Sequence, residues 1–217
     1  MAIETSIIVT NFNNSKYLGR CLRSLLNQSI EKDRFEIIVI DDASTDQSHI
    51  ILDSFKDKVE VVYLKENKGV AFASNVGIQR ALGQFVIRVD SDDYISEHTL
   101  LFMTELMLNN KDIGFVYTDH IKVDNNDEQL EKCLLEEPSD IYRHGAGVMF
   151  KKSHLEAIGL YDQDLRNAED FDLIRRYFKN WDGYHLKLPL YRYRIHKDQI
   201  TNDYGARIKA EEHVKNK

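Results

Sequence analysis

Three short clusters of polar residues each follow an apolar segment of the chain. They comprise residues 10–14, 41–44 and 90–93, and they hold five carboxylates with no Lys or Arg among them. Carboxylates placed close together repel one another unless a cation lies between them. If the three clusters meet, they predict a site for a hard divalent ion, Mn²⁺ or Mg²⁺, which oxygen atoms bind and which often bridges substrate phosphates. Taken singly, each acidic turn is also typical of a helix N-terminus.

Two familiar phosphate-binding motifs are missing from the sequence. It contains neither the Gly-x-x-x-x-Gly-Lys-Ser/Thr loop nor the Gly-x-Gly-x-x-Gly fingerprint. A diphosphate would therefore have to be neutralised by a metal ion instead of a glycine-rich loop. That chemistry is typical of a nucleotide whose pyrophosphate is a leaving group, because a metal stabilises the negative charge that develops on it.

Two later segments could complete such a site. Glu169 and Asp170 precede an amphipathic segment, and a carboxylate there could take the proton from an attacking hydroxyl group. Acidic residues are also favoured at a helix N-terminus for electrostatic reasons alone. Arg194 and His196 follow a late apolar segment, where the arginine could hold phosphate and the imidazole could bind a metal. A lone histidine in such a place is more often structural.

The elements that position these residues alternate between strands and helices in the first half of the chain. Strands are predicted at residues 6–10, 36–40, 59–63 and 84–89, and helices at about 18–26, 47–55, 70–81 and 97–108. Asn14 or Ser15 is a plausible cap for the first helix. Strands joined by helices predict a mostly parallel sheet, whose carboxyl edge is where such sheets bind ligands.

The second half of the chain is less regular. Strands are predicted at 114–123, 147–151 and 186–194, a polar turn at 124–128, and helices at 153–158, 170–178 and about 204–214. No linker or internal repeat interrupts the sequence. We therefore predict an α/β fold with a mostly parallel central sheet flanked by helices. It forms a single domain over residues 1–217, with a nucleotide-binding half at about 1–110 and a substrate-shaping half at about 111–217.

Composition excludes several classes of protein. The 217 residues are 42% hydrophobic and 30% charged, which is enough apolar material for a full core. A net charge of −7 argues against a general nucleic-acid binder, which needs a basic surface. Two cysteines are too few for a disulfide framework. No apolar segment reaches membrane-spanning length, so a cytoplasmic location is expected, while the basic C-terminal region leaves peripheral contact with a membrane or a partner protein open.

Taken in order, these motifs resemble the family 2 glycosyltransferases, which have the GT-A fold. The resemblance covers nearly the whole sequence, and its motifs lie at residues 6–13, 41–46, 67–69, 75–78, 81–83, 89–93, 159–162, 169–170 and 194–196. It implies an inverting transfer of a sugar, with a uridine diphosphate sugar as the expected donor. The implied acceptor is a hydroxyl group of a glycan or of a lipid-linked molecule, as in the synthesis of surface polysaccharides.

The resemblance also assigns roles to individual residues. It implies Asp170 as the catalytic base, with Glu169 beside it as a contact to the acceptor. Asp92 and His196 are the implied ligands of Mn²⁺ or Mg²⁺. The residues implied to bind the donor are Thr10, Phe12, Asp41, Asp42, Asn75, Asp90 and Arg194.

Within that set, the resemblance distinguishes the parts of the donor. Thr10 and Phe12 form the wall of the nucleoside site, and the Phe12 ring offers a face for the base. Asp42 reads the base and Asp41 supports its turn, while Asp90 contacts the ribose. The assignment of Asp93 stays open.

One position departs from the family pattern. Many members carry an arginine immediately before the asparagine that corresponds to Asn75, whereas this chain has Ser74. Lys68 and Arg194 are candidates to supply the missing positive charge. Phe12 stands where tyrosine is common, which keeps the stacking face but loses a hydroxyl group.

Two other functions remain as alternatives. A sugar-phosphate nucleotidyltransferase should carry a glycine-rich, basic loop after the first strand. Residues 11–15 contain no glycine, arginine or lysine, which disfavours this function. A nucleotide-sugar-binding partner subunit without turnover would lack a reason to keep every acidic residue of the set.

Overall fold

The computed structural model describes residues 2–136, 147–197, 199 and 204–215. Nine strands in this part of the chain form one sheet. The strands are β1 (Thr5–Asn11), β2 (Phe35–Asp41), β3 (Glu60–Tyr63), β4 (Phe85–Asp90), β5 (Tyr94–Ile95), β6 (Phe115–Val123), β7 (Gln129–Cys133), β8 (Met149–Lys151) and β9 (Gly183–Arg194). The helices are α1 (Ser15–Leu26), α2 (Ser48–Phe55), α3 (Val70–Arg80), α4 (Thr99–Asn109), α5 (Lys152–Ala157), α6 (Glu169–Phe178) and α7 (Tyr204–Lys215).

The sheet is parallel in its first half and mixed as a whole. Its order is β3-β2-β1-β4-β8-β6-β9-β5, and β7 pairs with β6 outside that path. The first four strands along this order are parallel, as the alternation of strands and helices predicts. Beyond these four strands the sheet is mixed, since β9 is parallel to β6, whereas β8 is antiparallel to both β4 and β6, and β5 is antiparallel to β9.

Two strands escaped the sequence analysis. β5 is only two residues long and directly follows the third polar cluster. β7 is an exposed strand without an apolar face, so its sequence lacks the alternation that marks a half-buried strand. The polar turn before β7 is confirmed, since the Asp124 carboxylate accepts hydrogen bonds from the backbone N–H groups of Asn126 and Glu128.

Each face of the sheet buries its own hydrophobic core. Ile7 and Val9 of β1 face one core, which is completed by α1, α2 and α4, while Ile8 faces the other, which is completed by α3, α5 and α6. Burying an isoleucine side chain contributes about 1.5–3 kcal/mol, so this alternation fixes which residues of β1 point to which side. Gly77 allows α3 to pack closely, since a Cβ there would lie 2.4 Å from the Cγ2 of Ile8.

For the last helix, α7, the sequence analysis left contact with a membrane or a partner protein open. In the structure, the described part of α7 packs against the rest of the domain. Val214 is buried, and its carbonyl accepts a hydrogen bond from the Arg175 guanidinium at 2.7 Å. No helix in the part of the chain that the structure describes has the length and apolar composition to cross a membrane. Cys21 and Cys133 are both free thiols.

Candidate active site

The parallel strands bring the three polar clusters together at one edge of the sheet. In the strand register, Asn11 at the end of β1 lies opposite Asp41 of β2, and Thr10 lies opposite Asp90 of β4. The Asp42 backbone N–H donates to the Asn11 carbonyl at 2.8 Å, which continues the pairing beyond the strands. The predicted convergence of the clusters is therefore present in the structure.

The first two clusters are tied to each other by side chains in strained turns. The Asp41 carboxylate accepts from the Asn11 amide at 2.7 Å and from the Ser44 backbone N–H at 2.9 Å, so Asp41 supports its turn. Asn13 and Ala43 have φ angles of 54° and 62°, in the left-handed region that residues other than glycine seldom adopt. Backbone strain of this kind is concentrated at functional sites, where the surroundings hold it in place.

The predicted contacts to the nucleoside differ in how open they are. The Phe12 side chain is 45% exposed, so its ring is free to face a base. Thr10, two residues before Phe12, is half-buried. Asp42 is buried and closes the turn ahead of α3, where its two carboxylate oxygens accept from the backbone N–H groups of Lys68 and Gly69 at 2.8 Å each.

The third cluster contains one purely structural aspartate. Asp93 is buried, and its carboxylate accepts hydrogen bonds from the Tyr191 hydroxyl at 2.7 Å and from the Arg194 backbone N–H at 2.8 Å. Burial and the charges of Asp92 and Asp90 raise the pKa of Asp93 well above its usual range. These contacts assign Asp93 to holding β9 against the turn.

Asp92 and His196 meet although 104 residues separate them. The Oδ2 atom of Asp92 lies 2.9 Å from the Nε2 atom of His196, and the His196 ring packs on Tyr17 with 5.0 Å between ring centroids. This separation is that of a direct hydrogen bond between the two side chains, which carry an oxygen and a nitrogen donor of the kinds that bind divalent ions. The carboxylate and imidazole donors therefore fit Mn²⁺ or Mg²⁺.

The described residues alone do not form a metal site. Among the described residues, no group of three or more His, Cys, Asp or Glu side chains is arranged to hold a metal ion. Divalent ions that act on phosphates are often bound by only one or two protein side chains, with substrate phosphates and water as the other ligands. A two-residue site is the arrangement expected for a metal that binds together with a diphosphate.

Arg194 was predicted to bind phosphate, but its guanidinium is bound to other groups of the protein. It is 2% exposed, and its Nε atom donates to the Asp92 carbonyl at 2.9 Å while Nη1 donates to the Asp124 carbonyl. Its third nitrogen pairs with the Asp127 carboxylate. The guanidinium is thus used to connect the Asp92 turn with the β6–β7 turn, and we do not assign it to the donor.

Asn75 is also used inside the protein. Its side-chain amide donates to the Tyr161 carbonyl at 2.9 Å and accepts from the Tyr161 backbone N–H at 3.0 Å. This two-way pairing fastens α3 to the loop that follows α5. A contact between Asn75 and the donor, which the resemblance implied, would have to break these bonds.

Arg88 is a site residue that the sequence analysis overlooked. It lies in β4, is 7% exposed, and donates to both carboxylate oxygens of Asp170 at 2.8 and 2.9 Å. Its Nε atom also donates to Asp90 at 3.0 Å. The third cluster itself holds no Lys or Arg, as predicted, but this guanidinium reaches it from β4, just outside the turn. The available signal was an arginine in an otherwise apolar strand, two residues before Asp90 and on the same face.

Glu169 stands beside this ion pair without a cation of its own. Its Oε2 atom is buried and has no hydrogen-bond partner within the described ranges. Burial and the neighbouring charge of Asp170 raise the pKa of Glu169 to about 7. Asn167, two residues earlier, has a φ angle of 67°, so the start of α6 is another strained turn facing the site.

Comparisons with known proteins bear on the family and the fold. The sequence model of "Glycosyl transferase family 2" matches residues 6–159. The poly(ribitol-phosphate) β-N-acetylglucosaminyltransferase TarS of Staphylococcus aureus is 42% identical over 101 residues, which cover 45% of this chain and 18% of TarS. An uncharacterized glycosyltransferase of Rickettsia prowazekii, RP339, is 29% identical over 212 residues and 91% of this chain.

A solved structure shows the same fold. The crystal structure of S. aureus TarS residues 1–349 in complex with UDP-GlcNAc superposes with a TM-score of 0.82 and 25% identity, covering 93% of this chain and 61% of that one. The chain spans 65% of the length of RP339 and 18% of full TarS, so its relatives are longer. The single α/β domain has the GT-A fold, and the chain belongs to glycosyl transferase family 2.

Proposed function

We propose that this protein transfers a sugar from a nucleoside diphosphate sugar to a hydroxyl group of an acceptor. One observation carries the proposal. The side chain of Arg88 joins Asp170, the predicted base, to Asp90, and the turn after Asp90 presents Asp92, which pairs with His196 from the end of β9. A group able to take a proton and a pair able to bind a metal with a diphosphate are thus held in one site.

The donor that we propose is a uridine diphosphate sugar. Its base would stack on the exposed ring of Phe12, beside the turn that Asp42 closes, with Thr10 as the opposite wall and Asp90 near the ribose. The related TarS structure was solved with UDP-GlcNAc, which supports a uridine donor for this chain. In this proposal residues 1–110 bind the donor, and residues 111–217 contribute the base and shape the acceptor site.

Asp92 and His196 would hold the Mn²⁺ or Mg²⁺ ion. When bound, such an ion stabilises the negative charge on a departing diphosphate. The protein side chains of the pair are already oriented, since the His196 ring is packed on Tyr17 and its backbone N–H donates to the Gln199 side chain at 3.1 Å.

Asp170 would accept the proton of the acceptor hydroxyl as that group attacks the anomeric carbon. A carboxylate offers about four acceptor positions, so two hydrogen bonds from Arg88 leave others for the acceptor. Attack in line with the departing diphosphate inverts the anomeric configuration, which is the outcome that we propose. Glu169, at the start of the same helix, would contact the acceptor.

The acceptor that we propose is a growing surface polymer or its lipid-linked precursor. TarS, by its name, acts on a poly(ribitol-phosphate), and it shares the matched region with this chain. The basic C-terminal region could approach such an acceptor or an anionic membrane surface at the inner face, and this location is part of the proposal.

The direct test is release of nucleoside diphosphate by the purified protein. We expect UDP release from one member of a panel of nucleotide sugars, stimulated by acceptor, abolished by EDTA and restored by Mn²⁺ or Mg²⁺. Asp170→Asn should lower turnover by 10²-fold or more, about the contribution of a general base, while donor affinity stays near that of wild type. Asp164→Asn, an exposed neighbour in the preceding loop, is the matched control.

Three outcomes would contradict the proposal. Full activity of Asp170→Asn would remove this residue from the mechanism, and full activity without metal would remove the role of Asp92 and His196. Donor binding without any transfer or hydrolysis would instead favour a partner subunit that binds nucleotide sugars.

A further inference from the structure

We infer that Arg88 is the positioning residue of this site, and that it supplies from β4 the guanidinium that the family pattern has as an arginine at the position of Ser74 on α3. The inference rests on the proposed function for its kinetic readouts. In this role, Arg88 sets the distance between the proposed base, Asp170, and the turn that begins at Asp90 and is proposed to bind the donor.

The first support is the geometry of Arg88. Its guanidinium faces Asp170 with two parallel hydrogen bonds of 2.8 and 2.9 Å and reaches Asp90 with a third of 3.0 Å. A bidentate pair of this kind fixes orientation as well as distance. Asp90 and Asp170 lie 80 residues apart in the sequence, on β4 and at the start of α6, so Arg88 connects the two halves of the site directly.

The second support is the position of Ser74. A cavity of about 10 Å³ lies between α3 and β4, and its lining includes Ser74, Arg88, Tyr161 and Ile8. Ser74 is 1% exposed, and its Oγ atom has no hydrogen-bond partner among the described residues. The residue that replaces the family's arginine therefore faces the same small space that Arg88 borders.

The space and the charges both require one guanidinium at this place. A cavity of about 10 Å³ is no larger than one water molecule needs, so a second long side chain would not fit beside Arg88. Without any guanidinium, the partly buried carboxylates of Asp90 and Asp170 would lie beside Glu169 with no cation. Removing one partner of a buried ion pair is strongly destabilising because the other charge stays desolvated.

It follows that an arginine at position 74 on α3 or at position 88 on β4 could supply the guanidinium that pairs with Asp90 and Asp170. The sequence analysis offered Lys68 and Arg194 as substitutes for the missing arginine. Arg194 is bound to other turns, and the Lys68 ammonium pairs with Glu66 at 2.5 Å at the surface. Arg88 is the residue that has both the location and the partners.

The test exchanges the two residues, which keeps composition and net charge unchanged. The variants are Arg88→Ser, Ser74→Arg, the double exchange, and Arg88→Lys, with Arg80→Ser as a control that breaks only an exposed ion pair with Glu60. Turnover, donor KM and thermal unfolding are measured for each. A misplacement of about 1 Å at a reacting group can cost about 10²-fold in rate, which sets the expected scale.

We expect Arg88→Ser to lower kcat about 10²-fold with a smaller change in donor KM. Ser74→Arg alone should unfold at a lower temperature than wild type, because it crowds a second guanidinium into the space. The double exchange should recover kcat at least tenfold over Arg88→Ser. Arg88→Lys, which keeps the charge without the bidentate geometry, should remain well below wild type.

A pH profile separates positioning from general stability. The groups that face the guanidinium are Asp170, Asp90 and Tyr161, with Glu169 nearby. Glu169 is the proposed acceptor contact beside the base, and the charge of Arg88 lowers its pKa, so loss of Arg88 should move the acid limb that reports Glu169 to higher pH. The double exchange should return the limb toward its wild-type position.

Several results would overturn the inference. One is a wild-type kcat in Arg88→Lys. Another is a double exchange that is no more active than Arg88→Ser. A third is an acid limb in Arg88→Ser at the same pH as in wild type. If the exchange variant does not fold, Arg88→Lys and the pH profile of Arg88→Ser decide. If wild-type protein transfers no sugar, the proposed function has failed. The unfolding temperatures then test the pairing alone, and an exchange variant no more stable than both single variants rejects it.

Discussion

Glu169→Gln should stabilise the protein at alkaline pH and change its stability little at acidic pH. Burial and the charge of Asp170 raise the pKa of Glu169 from an ordinary value of 4.5 to about 7 in the folded chain. Between these two values the folded state binds more protons than the unfolded state. Stability therefore falls as pH rises through this window, and the whole cost is present above pH 7.

The size of the effect follows from the two pKa values. A difference of about 2.5 between the folded and unfolded pKa corresponds to about 3 kcal/mol, since each pKa unit corresponds to about 1.4 kcal/mol. Glutamine has nearly the same shape and carries no charge, so it avoids the cost of ionising a buried side chain beside Asp170. We expect Glu169→Gln to be more stable than wild type by up to about 3 kcal/mol at pH 8 and nearly equal to it at pH 4.5.

The assay is denaturant unfolding of both proteins at pH 4.5, 6 and 8, without metal or nucleotide. Glu128→Gln, which changes an exposed carboxylate, is the matched control and should show no such pH-dependent gain. A difference between Glu169→Gln and wild type that is the same at pH 4.5 and 8 would refute the reasoning. Transfer activity of the stabilised variant, measured in parallel, then shows whether this carboxylate is kept for function at the expense of stability.

Three further changes test other parts of the structure. Phe12→Ala should raise donor KM about 5- to 100-fold with little change in kcat, because stacking of a base on an aromatic ring contributes roughly 1–3 kcal/mol; an unchanged KM would remove the ring from the donor site. His196→Ala should raise the Mn²⁺ concentration for half-maximal activity at least about tenfold, and an unaltered metal titration would contradict its role as a ligand. Gly83→Ala should lower the free energy of unfolding by about 1–3 kcal/mol, since a Cβ there would lie 2.7 Å from the Ser6 backbone nitrogen, and wild-type stability in denaturant would argue against that close approach.

The donor half could be predicted because its information is local. Residues of β1 alternate between two buried faces, and the helices between the strands have the length of crossover connections. Those two facts are enough to place Asn11, Asp41 and Asp90 at one edge, whichever family the chain belongs to. The close pairing of Asp92 with His196 needed the resemblance, because nothing in the spacing of residues 104 apart brings them together.

The internal contacts of the site could not be predicted from the sequence. Asn75 and Arg194 belong to motifs that suggest ligand binding, but each is bound to backbone groups of a distant loop. Arg88 shows the opposite error, since an arginine in an apolar strand was read as part of the strand. Its meaning depends on Asp170, 82 residues later, and a single sequence does not display such a pairing.

The two buried arginines, Arg88 and Arg194, are paired with carboxylates of the protein, and this affects how a diphosphate could bind. Arg88 is committed to Asp90 and Asp170, and Arg194 is committed to the turns around Asp92 and Asp127. Neither guanidinium is directed to a phosphate in this structure, while Asp92 adds a further carboxylate at the same edge. A diphosphate would thus meet negative charge, and opposite charges must come with it. We propose that a divalent ion at the Asp92–His196 pair supplies them, so the proposed metal dependence follows from how the two arginines are used. An arginine that was free to hold phosphate would weaken the need for the ion, and the structure has none in either buried position.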